Sequence, residues 1–255
     1  MSSALSGRVG HGRTLSQQCN DLRVNAAAME DMKRFAIYYA PKPGGFADAA
    51  AAWLGWDVQW GQAAPQPEIA LPRPLADITA EPRKYGFHGT IKPPFRLAVG
   101  ATPQDLAAAV ARLALTLKPV QMTGLQIVNL EGFLALIPIG DTTQLEAFAA
   151  EVVRSLDPFR APLSDAEIAR RRPDRLTPRQ RDLLAVFGYP YVMEEFRFHL
   201  TLSGPLGAEQ AAVAQAAAVH FAGLIPRPFD LSDLCLFGED GSGRFHLLER
   251  FALRS

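Results

Sequence analysis

At 255 residues, 48% of them hydrophobic and 20% charged, the chain has ordinary globular composition and can bury a sizeable core. Twenty-six basic residues balance 26 acidic ones, so no net field draws the molecule onto nucleic acid or an anionic membrane. Its two cysteines, Cys19 and Cys235, support no disulfide framework; without a membrane-length apolar run or a secretory signal pattern, the expected compartment is the cytoplasm.

In chain order, residues 1–31 are rich in Ser, Gly, Arg and Asn and lack an apolar period. They read as a disordered tail or an overlong start, leaving 32–255 as the structured domain. Arg34 to Ala40 forms a strand stopped by Pro41 and Pro43. An Ala-rich helix over Phe46 to Leu54 follows, and a Pro-rich loop (Pro65, Pro67, Pro72, Pro74) leads to a strand near 85–92. Thr102 then caps a helix with Pro103 at its first position and Asp105 in its first turn. Leu106, Val110, Leu113 and Leu117 line its apolar face, and Pro119 ends it. Strands over Leu125 to Leu130 and Phe133 to Pro138 precede a second amphipathic helix bearing Leu145, Phe148, Ala149, Val152 and Leu156. A charged, arginine-rich, helical insertion occupies 157–190. A strand near 196–203, an Ala-rich helix over Ala208 to Ala222, and strands over Leu231 to Phe237 and Phe245 to Leu253 complete the chain. The alternation predicts a two-lobed α+β domain.

One segment occurs twice. Phe87-His88-Gly89-Thr90-Ile91-Lys92-Pro93-Pro94 recurs as Phe198-His199-Leu200-Thr201-Leu202-Ser203-Gly204-Pro205, at an offset of 111 residues. A strand and a helix precede each copy, and a helix and strands follow it, so the repeat extends to the element order. On a strand, residues two apart share a face. His88 and Thr90 therefore project together, as do His199 and Thr201, while Phe87, Ile91, Phe198 and Leu202 point into a core. Lys92 and Ser203 continue the polar face, and Arg197 precedes it.

That face suggests acid–base chemistry on a phosphodiester. Imidazole titrates near pH ~6.5, so one ring can take a proton from the attacking oxygen while the other protonates the leaving oxygen. The threonine hydroxyls can donate to non-bridging phosphate oxygens as charge develops. No metal or other cofactor is needed by this scheme, and no HExxH or carboxylate cluster completes a zinc site. The near-symmetric motifs do not say which histidine is the acid. Other candidates have two readings each. Lys92 and Arg197 touch phosphate or are solvated cations; Tyr38 and Tyr39 stack on a base or sugar or pack in the core. Arg170, Arg171 and Arg172 form a solvated helix face, or belong to a lid over an anionic substrate with Tyr189 or Tyr191 at its hinge. His11, His220 and His246 read as structural or surface residues.

At the twin His-x-Thr motifs the chain resembles the 2H phosphoesterase superfamily, which includes 2′,3′-cyclic nucleotide phosphodiesterases and 2′-5′ RNA ligase-like proteins. Residues 33–41, 85–96, 188–192 and 196–202 are similar to a bacterial branch found with carbon–phosphorus lyase genes of phosphonate breakdown. The resemblance covers residue 32 to the end. It implies a bilobal, LigT-like fold with two pseudosymmetric lobes around a central groove, and it places His88, Thr90, His199 and Thr201 at the catalytic positions. Within that branch the first motif usually carries Ala where this chain has Gly89. The implied activity is metal-independent opening of a cyclic phosphate on a ribose or nucleotide, such as a phosphorylated ribose intermediate of phosphonate catabolism. The expected partner is that small phosphorylated substrate, with RNA less favoured, no membrane, and a monomeric protein. The alternatives are a 2′-5′ RNA ligase or RNA cyclic phosphodiesterase, and a non-catalytic nucleotide- or RNA-binding protein.

Overall fold

A computed structural model of the protein describes residues 29–254. The elements are β1 (Arg34–Tyr39), α1 (Gly45–Leu54), β2 (Trp56–Asp57), β3 (Gln62–Ala63), α2 (Leu75–Ile78), β4 (Gly89–Phe95), α3 (Pro103–Ala114), β5 (Val120–Met122), β6 (Gly124–Leu130) and β7 (Phe133–Ile139). They continue as α4 (Thr143–Ser155), α5 (Asp165–Arg170), α6 (Pro178–Phe187), β8 (Leu200–Thr201), α7 (Gln210–His220), β9 (Phe229–Leu231), β10 (Asp233–Glu239) and β11 (Phe245–Ala252).

Local signals explain the helix ends. Gly55 adopts the left-handed conformation that terminates α1, its N–H donating to Ala51 O. Thr102 and Asp105 form a reciprocal capping box at the start of α3, as Ser164 with Glu167 and Thr177 with Gln180 do for α5 and α6.

Seven strands form one antiparallel sheet in the order β11-β10-β1-β4-β8-β7-β6. Outward from its centre the sheet reads β4-β1-β10 on one side and β8-β7-β6 on the other. The first half of the chain runs β1-α1-β4-α3-β5-β6, and the second runs β7-α4-β8-α7-β9-β10. Each half therefore donates its last strand to the other lobe: β6 pairs with β7, and β10 pairs with β1. The crossing segments pair too, β5 with β9 at Val120↔Leu231. The α+β fold is thus bilobal and pseudosymmetric, as the duplicated motif implied, with β11 as the added strand that breaks the symmetry.

The helices are exchanged in the same way. Trp53 of α1, from the first half, donates its indole N–H to Leu202 O beside β8 at 2.8 Å. On the other side α4, from the second half, packs on β4, and Val153 O accepts from Lys92 Nζ at 3.2 Å. The main core lies between sheet and helices, where Phe35, Ile37, Leu234 and Leu236 are buried together with Phe87, Ile91, Phe198 and Leu202. Each such side chain contributes roughly 1.5–3 kcal/mol of burial. Alternate residues of the same strands, Ala36, Tyr38, Cys235 and Phe237, face the opposite side. That second face floors the groove.

Three readings from sequence need correction. The second motif strand is only two residues long, because Met193–Glu195 forms a 3-10 turn in front of it. The Pro-rich stretch contains α2 and a 3-10 turn at Pro82–Lys84, and the short strand β5 follows α3. Packing also begins before residue 32, since Met29 is buried in the main core. Most of the expected N-terminal tail, with His11 and Cys19, lies outside the described residues. Among those described, no helix is long and apolar enough to cross a membrane.

Candidate active site

β4 and β8 meet at the centre of the sheet through the antiparallel pair Gly89↔Leu200. That register sets His88 opposite Thr201 and Thr90 opposite His199. Each histidine therefore stands beside the other motif's threonine, and all four side chains share one face. Diagonal neighbours on such a face are about 7–8 Å apart, a gap that a phosphate group fills. All four residues are partly exposed, whereas Gly89, Ile91, Leu200 and Leu202 between and beyond them are buried.

Both imidazoles are oriented by the same bond. His88 Nδ1 lies 2.8 Å from Gly86 O, and His199 Nδ1 lies 2.8 Å from Arg197 O. A carbonyl oxygen only accepts, so each Nδ1 carries a proton and each Nε2 is left to face the groove. Gly86 takes a positive φ of 70° to turn its carbonyl under the ring.

The surroundings of the two rings differ. Tyr38 pairs with Thr90, and its ring stacks on His88 at 3.9 Å. The equivalent partner of Thr201 is Ala135, which offers no ring; His199 instead has Phe133 at 5.8 Å. Tyr85 lies 6.0 Å from His88 and stacks on Phe245. Burial pushes His88 down to about 4, against the pull of its Gly86 bond and helped by the nearby His199. His88 is therefore neutral at pH 7. This local asymmetry is invisible in the motifs themselves.

A cavity of about 240 Å³ opens here, lined by Tyr85, His88, Phe133, Thr201 and Ser203, with Glu81 at its rim. The other predicted contacts are distributed unevenly. Ser203 is buried and bonded, its Oγ accepting from Leu134 N and donating to Gly204 O. Lys92 is not a solvated cation: it is buried, donating to Asp157 Oδ1 at 3.0 Å and to Val153 O. Arg197 is exposed, and its guanidinium donates to Phe196 O while its own carbonyl holds His199. Tyr39 packs in the main core, and Tyr38 is buried beneath His88. Tyr189 lies at the end of the insertion and Tyr191 just beyond it, their rings 5.7 Å apart, with Tyr191 exposed.

His220 donates from Nε2 to Ala49 O and packs by Trp53, and His246 pairs with Asp240; both serve structure. Among the described residues no group of three or more His, Cys, Asp or Glu is arranged to hold a metal ion. Sequence reasoning did not single out Tyr85, Phe133 or the Gly86 and Arg197 carbonyls. The last two had a signal, since each stands two residues before its histidine.

A family model described as "Protein of unknown function (DUF1045)" matches residues 90–246. The chain belongs to this family. It is 33% identical over 246 residues to a protein named ribose 1,5-bisphosphate phosphokinase PhnN of Janthinobacterium sp. (strain Marseille), covering 93% of this chain and 54% of that one. The likewise named protein of Laribacter hongkongensis (strain HLHK9) is 33% identical over 225 residues, covering 82% and 49%. The chain thus spans about half the length of the curated relatives it matches. Among solved structures it is similar to E. coli LigT complexed with NADP+, with a TM-score of 0.43 and 13% identity over 88% of this chain and 99% of that one. For E. coli LigT complexed with 3′-AMP the TM-score is 0.39 and the identity 14%, over 89% and 100%.

Proposed function

We propose that the protein is a 2H-type phosphoesterase that opens a cyclic phosphate on a ribose by two-histidine acid–base catalysis. The observation that carries this reading is the crossed pairing of His88 with Thr201 and Thr90 with His199, with both Nδ1 atoms tied to carbonyls. In this reading two imidazole Nε2 atoms and two hydroxyls serve one phosphate group, His88 and Thr201 lining the cavity described above.

In this scheme His88, neutral at pH 7, takes a proton from water as its oxygen bonds to phosphorus. His199, protonated on Nε2, donates to the ribose oxygen as the P–O bond to it breaks, leaving a phosphomonoester. Thr90 and Thr201 donate to the two non-bridging oxygens, where charge grows. Tyr38 stacks on the His88 ring, and burial keeps that ring uncharged. The substrate class is a phosphorylated ribose, supported by the resemblance of the motif runs to the phosphonate-associated branch. It also fits curated relatives named for ribose 1,5-bisphosphate, whose sequences match this chain over about half their length.

The test is hydrolysis of a panel of ribose and nucleotide cyclic phosphates in EDTA. At least one should be turned over, and His88→Ala and His199→Ala should each abolish that turnover while melting like the wild type. Activity surviving in either variant, or activity strictly dependent on added metal, would overturn the scheme. Preference for an RNA end over every small substrate would redirect the reading to RNA.

A further inference from the structure

Beside the histidine cavity lies a second one of about 540 Å³, roofed by the 157–190 insertion. The same sheet face floors both. Arg34 and Glu239 alternate with Ala36 and Phe237 on the face that carries Tyr38, and both line the second cavity together with Lys92 of β4. Tyr85 lines both cavities, so its ring is the wall between them.

The second cavity is strongly basic. Seven lysines and arginines line it against two glutamates, and Asp157 behind Lys92 and Arg160 neutralises one more charge, leaving four in surplus. Arg34 is held by Glu239, Arg96 by Glu167, and Arg160 by Asp157. Lys33, Arg170 and Arg171 are not so engaged. Among the described residues no carboxylate lies within ion-pair distance of any of the three. Lys33 Nζ donates to Gly241 O, Arg170 Nε to Ala166 O, and the Arg171 guanidinium lies 4.8 Å from the centre of the Tyr189 ring. Like charges gathered in a concavity focus potential and favour a compact dianion there. Arginine forks suit a phosphate in particular.

The geometry points to this cavity as a subsite for a phosphomonoester group carried by the same substrate whose cyclic phosphate lies at His88 and His199. Placement of the cyclic phosphate at the histidines rests on the phosphoesterase reading; anion binding in the second cavity does not. The substrate would be a bis-phosphorylated sugar, its ring crossing Tyr85 and its terminal phosphate beneath the insertion. Asymmetry then has a purpose: the insertion precedes only the second motif, and it covers only one side of the groove.

Two arms separate this claim from the catalytic one. In the first, ribose 5-phosphate is titrated calorimetrically into the full chain. Binding should persist in the His88→Ala/His199→Ala variant and weaken tenfold or more in Arg170→Gln/Arg171→Gln and in Lys33→Gln. These are surface substitutions on two separate elements, so one misfolded variant does not remove the test. No binding, or binding indifferent to the arginine and lysine changes, overturns the subsite whatever the activity. In the second arm, Arg170→Gln/Arg171→Gln should raise KM at least tenfold for a cyclic ribose phosphate bearing a 5-phosphate. It should leave kcat/KM for the same compound without the 5-phosphate within twofold. If inorganic phosphate binds but the two substrates show equal KM in wild type, the cavity is a free-anion site and the proposal fails.

Discussion

Gly89 leaves the space that the ring of Phe198 fills: a Cβ on Gly89 would come within 2.3 Å of Phe198 Cζ. The two residues belong to different copies of the motif, and they meet where β4 and β8 join through Gly89↔Leu200. Gly89→Ala should therefore destabilise the protein by about 1–3 kcal/mol and lower kcat, because the overpacked ring pushes apart the strands that set the His–Thr geometry. Adding Phe198→Leu should recover most of both losses. Urea unfolding and turnover of the four proteins check this; simple additivity of the two changes would refute the contact.

The pH response follows from His88. Its folded value of about 4 lies below the ~6.5 of a free histidine, so between these values the unfolded chain binds more protons. This contribution is fully present above pH ~6.5 and is lost as pH falls towards 4, to a total of about 3 kcal/mol at most. His88→Gln should flatten the wild-type stability curve over that window. In kcat/KM, the acid limb should have its midpoint well below 6, since His88 must be neutral to act as base. A midpoint at or above 6.5 would transfer the base role to another group.

Lys92 and Asp157 form a buried pair whose members are affected in opposite ways. Burial lowers the Lys92 ammonium more than Asp157 raises it. Burial acts to raise Asp157, but bonds from Arg160 and Lys92 outweigh it and hold the carboxyl below the usual range. Asp157→Ala leaves an unpaired buried ammonium and should cost about 3 kcal/mol. Lys92→Met leaves Asp157 with Arg160 and should cost less. The double variant Lys92→Met/Asp157→Ala should be more stable than Asp157→Ala alone, which chemical denaturation measures directly.

The threonines should separate binding from chemistry. Thr90→Ala and Thr201→Ala each remove one donor to the phosphate and should reduce kcat by roughly 10²-fold with little change in KM. Serine at either position should restore most of the rate. A rise in KM with kcat unchanged would instead make these hydroxyls ground-state contacts.

Much of this protein was determined by sequence alone. The repeat, the alternating polarity of the His-x-Thr segments, and the caps at Thr102 and Gly55 are local signals, fixed by strand period and backbone chemistry over a few residues. They sufficed for the α+β class and for the four central side chains. Tertiary structure decided what depends on neighbours far along the chain. Pairing of β4 with β1 sets Tyr38 against His88, whereas pairing of β8 with β7 puts Ala135 beside Thr201 and leaves Phe133 near His199, so near-identical motifs acquire unlike ring neighbours. Lys92, two residues beyond Thr90, reads as a groove cation until α4 and Asp157 close over it. Burial and charge pairing are sums over the whole fold, and no octapeptide contains them.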